Sequence, residues 1–437
     1  MSGKEEKTGK EEKEKEKGPR NGILKDIDEN FKPKLADDVE VRFYKTDERG
    51  DFYLVRNPRD KRYVKVHESG KVLMDSIDGT VTMAHLDETT PDINVYKFVD
   101  ILAKGGFLIN MEAEKKKEPF YTFKIPFFKT NKPIFIKMYN FFSFVSSKPF
   151  KIFYVLFVGT GILLFLWNLP NAFHYVVKNF DLTVPLTPLL LIMVIFYLVE
   201  LAHEFAHTGA SYAHGAEPGD VGIVFHFLVG FFYVETPDTR ILSPKGSMDT
   251  FIAGPLTSLF AGSICTYIFV FTDHYPLVWG ASAFFWHMST LITLTPFMQT
   301  DGYYILQNRL KFPNLFSHSI SFMRLNLYRI FRRISKEDYQ KATKGYTKRE
   351  LKVMKLWSIF MPMQIGILAF FFFFMAFQIN LFHVLQIAPL ILSGNHPYGI
   401  KAYVLLIMYS FSLMMTTLAA SATAYKFFTQ KASERWK

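Results

Sequence analysis

Two histidines four residues apart, His203 and His207, enclose Glu204 in the pattern His-Glu-x-x-His. In an α-helix, residues four apart lie on one face about one turn apart, so both imidazoles can bind one metal ion. Glu204, one position round the helix, can reach water beside that ion. This pattern is typical of zinc hydrolases, in which the ion lowers the pKa of water to about 7. The alternative is a polar helix end that holds no metal.

A third metal ligand is expected, because catalytic zinc usually has three protein ligands and keeps a fourth position for water. Cys265 is the only cysteine, which leaves His and carboxylates as ligands. Asp301 follows Pro296, and a proline that ends a helix would let the chain turn back towards the histidines. The pair Asp301-Gly302 is also a common turn that could simply end a helix. Glu200, one turn before the histidines, is interpreted as a supporting acid.

The composition favours a chain that lies partly in a membrane. Of 437 residues, 49% are hydrophobic, 17% aromatic and 21% charged, which does not fit a set of soluble domains. Six apolar stretches approach the roughly 20 residues that a helix needs to cross a bilayer. They are residues 152–168, 182–199, 251–271, 277–297, 356–379 and 402–424. The run 381–392 is shorter and is interpreted as a re-entrant or interfacial piece.

The basic residues predict the orientation of these spans. Residues 306–355 carry thirteen Lys and Arg against three Asp and Glu, whereas residues 272–276 and 377–399 carry no Lys or Arg. The positive-inside rule therefore places both termini of this multi-pass chain in the cytosol. Spans two and four then end at the cytosolic face, so the His pair and Asp301 share a depth. The net charge of +11 thus reports topology, and nucleic-acid binding is not expected.

The remaining segments complete a predicted fold that is mainly α: a polytopic membrane helical bundle of about six spans with a small N-terminal cytosolic α+β, winged-helix-like domain. In that domain, strands are expected at 39–44 and 52–55 and helices at 71–77 and 93–102. The predicted segments are a disordered charged tail (1–34), the cytosolic domain (35–112), a basic aromatic segment against membrane lipid (113–151), the core with spans one to four (152–310), a basic cytosolic loop (311–355), and spans five and six with a cytosolic tail (356–437).

The paired motifs resemble those of the site-2 protease family of intramembrane zinc metalloproteases. The resemblance rests on the His203 to His207 pattern and on Pro296 followed five residues later by Asp301-Gly302, and it covers about residues 150–310. Residues 232–236 and 253–255 are similar to segments of the peptide zinc metalloprotease branch. The resemblance implies a multi-span helical bundle in a plasma membrane, and the branch points to a bacterial one.

The resemblance also implies roles for individual residues. His203, His207 and Asp301 would bind Zn²⁺, and Glu204 would be the general base. In this branch an Asn that helps to hold substrate usually stands three residues before the proline, and often another stands just before it. Thr293 and Thr295 occupy these positions here. They are candidate substrate-binding residues, since a Thr hydroxyl can donate one hydrogen bond.

A weaker resemblance concerns the N-terminal domain. Residues 39–108, with Ser76-Ile77-Asp78-Gly79-Thr80 near the middle, are similar to PqqD-like peptide-recognition domains. Such domains add a leader peptide as a strand to a sheet edge. The alternative is a structural cytosolic cap. No P-loop and no Gly-x-Gly-x-x-Gly motif occurs, so no nucleotide partner is expected.

Together these observations predict an integral membrane zinc metalloendopeptidase that cleaves a peptide near the cytosolic membrane face. The expected substrate is a ribosomally made peptide precursor or a membrane protein. One alternative is a non-catalytic membrane export, immunity or regulatory protein with a vestigial zinc site, which the threonines at the Asn positions motivate. Another is a membrane protease of the prenyl-protein type, which also has the His-Glu-x-x-His pattern but uses a Glu as third ligand.

Overall fold

The computed structural model describes most of the chain in two compact units, residues 1–117 and 118–437. The described residues are 27–59, 62–114, 122–128, 133–144, 147–179, 184–217, 219–226, 229–236, 239, 242–296, 300–312, 314–394, 399–407, 409–410 and 414. Most of the predicted charged tail lies outside these residues. Its last part does not fit that prediction, because Ile27 is buried in the core of the first unit with 6% exposure.

The described residues of the first unit form a three-stranded antiparallel sheet of order β1-β2-β3 and three helices. Its elements are β1 (Glu40–Asp47), β2 (Gly50–Asn57), β3 (Arg62–His67), α1 (Glu68–Asp75), α2 (Met83–Thr89) and α3 (Val95–Lys104). Val55 pairs with Val41 and Val64 across the sheet and is fully buried. The predicted strands and helices of this region are confirmed, whereas β3 and α2 were not predicted.

The second unit is mainly helical. Among the described residues, four helices are long and apolar enough to cross a membrane, and they match the first four predicted spans. They are α5 (Lys148–Trp167), α7 (Leu186–Ala213), α8 (Pro244–Phe271) and α9 (Pro276–Leu294). Further helices among the described residues are α4 (Pro133–Ser143), α6 (Leu169–Asn179), α10 (Asp301–Leu310), α11 (Leu315–Ile330), α12 (Lys336–Thr343) and α13 (Lys348–Leu392).

Helix α13 changes the prediction for the C-terminal region. Its 45 residues include the predicted fifth span and also residues 381–392, which continue the same helix. The prediction of a separate re-entrant piece is wrong, because the helix continues without a break through this run, including Pro389. Most of the predicted sixth span, residues 402–424, lies outside the described residues.

A second small sheet lies in the helical unit, with strand order β4-β5-β6. Its strands are β4 (Thr122–Phe128), β5 (Val221–His226) and β6 (Val229–Val234). The segment predicted to lie along membrane lipid thus supplies a strand, and it also supplies α4. Tyr139 of α4 is fully buried and its ring lies 6.1 Å from that of Phe205 on α7. Part of residues 113–151 is therefore folded against the helical unit.

The basic segment 311–355 is largely helical rather than a loop. It forms α11, α12 and the first turns of α13. Leu315 and Met354 are fully buried there, in a cluster that also contains Tyr303 of α10. This segment therefore packs against the helix that begins at Asp301.

Candidate metal centre

Three side chains from two separate parts of the chain meet in the helical unit. In the described part of the chain, His203, His207 and Asp301 form a group whose ligand atoms all lie within 4.8 Å of one another and could hold a metal ion. The two histidines come from the second half of α7, and Asp301 is the first residue of α10. The structure therefore brings together the three residues that the sequence predicts as ligands.

The ligand atoms of the three side chains lie close together. The Nε2 atoms of His203 and His207 lie 3.1 Å apart. The carboxylate of Asp301 spans them, with Oδ2 at 3.4 Å from His203 Nε2 and Oδ1 at 3.4 Å from His207 Nε2. His207 is buried, and the other two are partly buried. An ion at this position would be held on one side by two nitrogens and one carboxylate.

Helix α8 orients both imidazole rings. The Nδ1 atom of His207 lies 2.7 Å from the backbone carbonyl oxygen of Thr250, and Nδ1 of His203 lies 2.8 Å from the hydroxyl of Ser258. A carbonyl oxygen only accepts, so the proton of neutral His207 stands on Nδ1 and Nε2 keeps its lone pair. Such partners fix the ring orientation that a metal ligand needs.

Gly254 lies between these two partners on the same face of α8. A Cβ atom at this position would lie against the Nε2 atoms of both His203 and His207. A side chain at residue 254 would therefore fill the space where an ion would contact the imidazoles. Thr250, Gly254 and Ser258 are four residues apart, so one face of α8 provides both hydrogen-bond partners and the space between them.

Asp301 reaches the histidines because α10 starts close to the end of α9. A Cβ at Gly302 would lie 2.9 Å from the Cα of Leu294 and closer still to its carbonyl group. Such contacts are shorter than real side chains make, so only glycine allows this approach. The Asp301-Gly302 pair therefore does not simply end a span: it begins α10. Residues 297–299 after Pro296 lie outside the described residues.

Glu204 is not one of the three clustered ligands. Its Oε2 accepts a hydrogen bond of 3.3 Å from the backbone N–H of Val234, the last residue of β6. The carboxylate is partly buried and is tied to the small sheet. Glu200 is also partly buried on α7 and lies outside the cluster of ligand atoms, in keeping with a supporting role.

The two candidate substrate-binding threonines use their hydroxyls within α9. Thr293 Oγ1 donates to the carbonyl of Ser289 at 2.8 Å. Thr295 Oγ1 donates to the carbonyls of Leu291 and Ile292. These bonds leave the oxygen of each hydroxyl as an acceptor, and a role in substrate binding stays a prediction.

The sequence interpretation missed the residues of α8 that orient the imidazoles. Thr250 and Ser258 were not singled out, and Gly254 entered only as part of the segment 253–255 on which the resemblance partly rests. A signal was present, because Thr250, Gly254, Ser258 and Gly262 repeat small residues every fourth position in an apolar helix. The repeat indicates a packed face but not which side chains lie on it.

Comparisons with protein-family models, with curated proteins and with solved structures find no match to this chain. The candidate metal centre therefore stands on its geometry.

Replacing Gly302 with Ala is expected to weaken metal binding roughly 10–100-fold, because the new Cβ would push Asp301 away from the histidines. Alanine has a higher helix propensity than glycine, so weaker metal binding by this variant would not result from a less stable α10. Competition with a chromophoric chelator on the purified chain measures this affinity. Gly345→Ala is the matched control, since a Cβ there meets no described atom within 4 Å. Unchanged affinity in Gly302→Ala would contradict the assigned role of the glycine.

Proposed function

We propose that this chain is a membrane-embedded zinc metalloendopeptidase that hydrolyses a peptide bond near the cytosolic membrane face. The observation that carries this proposal is the convergence of His203, His207 and Asp301, with Glu204 next to the first histidine. Four apolar helices long enough to span a bilayer support its membrane location. We propose a bacterial plasma membrane with both termini cytosolic, on the resemblance and the distribution of basic residues.

The donor set fits zinc. An ion with tetrahedral bonds of about 2.0–2.1 Å separates its ligand atoms by about 3.3–3.4 Å. The two Nε2 atoms lie 3.1 Å apart, and each lies 3.4 Å from its nearer oxygen of the Asp301 carboxylate, so the distances are close to this value. Two imidazoles and one carboxylate are a usual set for catalytic zinc, which keeps a further position open. The space beside Gly254 supports the same assignment.

When bound, zinc activates water for attack and polarises the carbonyl of the peptide. The protein's own contribution begins with the hydrogen bonds that hold His203 and His207 against α8. Glu204 accepts a proton from the attacking water while the water oxygen bonds to the carbonyl carbon of the peptide. The carbon–nitrogen bond then breaks, and Glu204 returns the proton to the leaving amine nitrogen. Water is thereby divided between the new carboxylate and the new amine.

The position of strand β6 supports the proposal of a peptide substrate that binds in an extended conformation. One edge of β6 pairs with β5, and on its other side the N–H of Val234 reaches Glu204. A substrate strand beside β6 would therefore bring its backbone close to the general base. We propose a ribosomally made precursor or a membrane-protein segment as substrate. The edge strands β1 and β3 of the first unit could each add a leader peptide, with a structural cap as the alternative.

A non-catalytic export, immunity or regulatory protein with a vestigial site is the second candidate. The observation that favours it is that the hydroxyls of Thr293 and Thr295 donate within their own helix. A prenyl-protein type of protease would need a Glu as third ligand, whereas the residue that joins the histidines here is Asp301.

The first test is metal content combined with hydrolysis. Purified protein is expected to contain about one zinc per chain and to cleave members of a quenched-fluorescence peptide library. A strong zinc chelator should stop this cleavage, and added zinc should restore it. His207→Ala should lose both metal and cleavage.

His214→Ala is the matched control for this test. His214 follows the end of the same helix but pairs with Asp249 at 3.1 Å, outside the metal cluster. It should keep both zinc and activity. Zinc without any cleavage would favour the vestigial site, and absence of zinc from the wild-type chain would overturn the proposal.

A further inference from the structure

The first three residues of α10 contact three different parts of the helical unit. Asp301 faces the histidines of α7, Gly302 lies against Leu294 at the end of α9, and the hydroxyl of Tyr303 contacts α11. Successive residues of a helix point about 100° apart, so each can serve a separate neighbour. Asp301, the proposed third ligand, is thus the first residue of a helix whose first turn contacts α7, α9 and α11.

Tyr303 contributes a specific hydrogen bond to this arrangement. Its side chain is 1% exposed, and its hydroxyl oxygen accepts the backbone N–H of Phe316 at 3.0 Å. Phe316 is the second residue of α11, where N–H groups have no partner within the helix. The residue that precedes α11, Asn314, makes no side-chain cap bond to the described residues. Tyr303 therefore caps α11 from a neighbouring helix.

Packing of the Tyr303 ring also connects α10 with α13. Its ring lies 6.4 Å from that of Phe316 and 6.5 Å from that of Trp357. Leu315 and Met354 are fully buried in the same cluster. Helix α10 is thereby fastened to α11 and α13 on the side away from the histidines.

We infer that Tyr303 is a positioning residue that holds Asp301 at ligand distance from His203 and His207. The hydroxyl acts through the start of α10, since its bond is to the backbone N–H of Phe316 on α11. Without the bond to Phe316, the first turn of α10 has greater freedom and the carboxylate spends less time within reach of an ion. This inference rests on the metal site of the proposed function.

The test is a metal titration of Tyr303→Phe, which keeps the ring and removes the hydroxyl. Zinc affinity of the purified full-length chain is expected to fall about 10-fold, the size of effect seen when partners that orient metal ligands are lost. Cobalt added in place of zinc should show a weaker or shifted visible absorption band, because that band reports the ligand geometry. Tyr346→Phe is the control: its hydroxyl lies 2.8 Å from His318 Nδ1 in the same cluster, and its loss should leave affinity unchanged.

The same titration in an Asp301→Asn background shows whether Tyr303 affects zinc affinity through Asp301. In Asp301→Asn, whose amide is a weaker ligand, adding Tyr303→Phe should change affinity by less than about 2-fold, since coupled residues are not additive. Equal losses in both backgrounds would indicate general destabilisation and overturn the inference. So would a Tyr303→Phe variant with wild-type affinity. A wild-type chain without metal would instead overturn the proposed function, and the inference with it.

Discussion

Glu204→Gln is expected to reduce peptide hydrolysis roughly 10²–10⁴-fold while zinc stays bound, because the amide cannot take the proton from attacking water. The substitution is a mild one for the fold. Glu204 accepts its hydrogen bond from the N–H of Val234, and the oxygen of a Gln side chain can accept the same bond. The helix, the strand and the three ligands should therefore keep their positions. Initial rates on a cleaved library peptide and zinc content per chain are the two measurements.

Glu235→Gln is the matched control for that prediction. Glu235 follows β6 directly, next to the residue that holds Glu204, and its carboxylate lies 3.9 Å from Lys124 at the surface. It should retain near-wild-type rates. Turnover that survives in Glu204→Gln would remove Glu204 as the general base, even with the metal site intact. Loss of zinc in the same variant would show that Glu204 supports the ligands instead.

The membrane helices could be predicted from sequence to within a few residues, except at their polar ends. The predicted spans 152–168 and 251–271 correspond to α5 and α8, which begin earlier at Lys148 and Pro244. The earlier starts contain lysines and Asp249, which a search for uncharged stretches leaves out although a helix accepts them. Helix α7 likewise continues past residue 199 to Ala213, and this extension carries the histidines.

The pairing of strands in the second sheet could not be predicted from the sequence. Strands β4 and β5 are antiparallel and pair from Thr122 with His226 to Phe128 with Val221, with a register shift between Pro126 and Phe128, and they lie about 100 residues apart in the chain. Alone, β4 is a short, largely apolar stretch with three phenylalanines and one lysine, and that composition also fits a membrane interface. Only the pairing with β5 distinguishes a strand from an interfacial segment. A partner so distant in the chain leaves no pattern in the local sequence of β4.

The convergence of His203, His207 and Asp301 could be predicted largely from local rules, together with the resemblance of the paired motifs. The spacing of His203 and His207 follows from the helix itself, and the depth of Asp301 follows from counting spans. The orientation of the rings depends on which face of α8 meets α7, which no local pattern states. Thr250 and Ser258 acquire their roles only from that packing.

Gly254→Ala is expected to abolish stoichiometric zinc binding, with an affinity loss above about 100-fold. The new Cβ would lie against both Nε2 atoms, at the position that an ion needs. Relief requires the rings to rotate, which breaks the contacts with Thr250 and Ser258, or α7 and α8 to separate. Overpacking of this kind costs about 1–3 kcal/mol in a tight interior. The higher helix propensity of alanine offsets part of that cost, so the chain should still fold.

The measurement is zinc per chain, together with thermal unfolding in detergent with and without a chelator. Wild-type protein should lose stability when the chelator removes zinc, since an ion that binds only the folded state stabilises it. Gly254→Ala should contain little zinc and unfold at the same temperature in both conditions. Gly159→Ala on α5, where a Cβ meets no described atom within 4 Å, should behave as wild type. If Gly254→Ala retained one zinc per chain, the ion could not lie between the histidines and α8, because that alanine and the ion would require the same space.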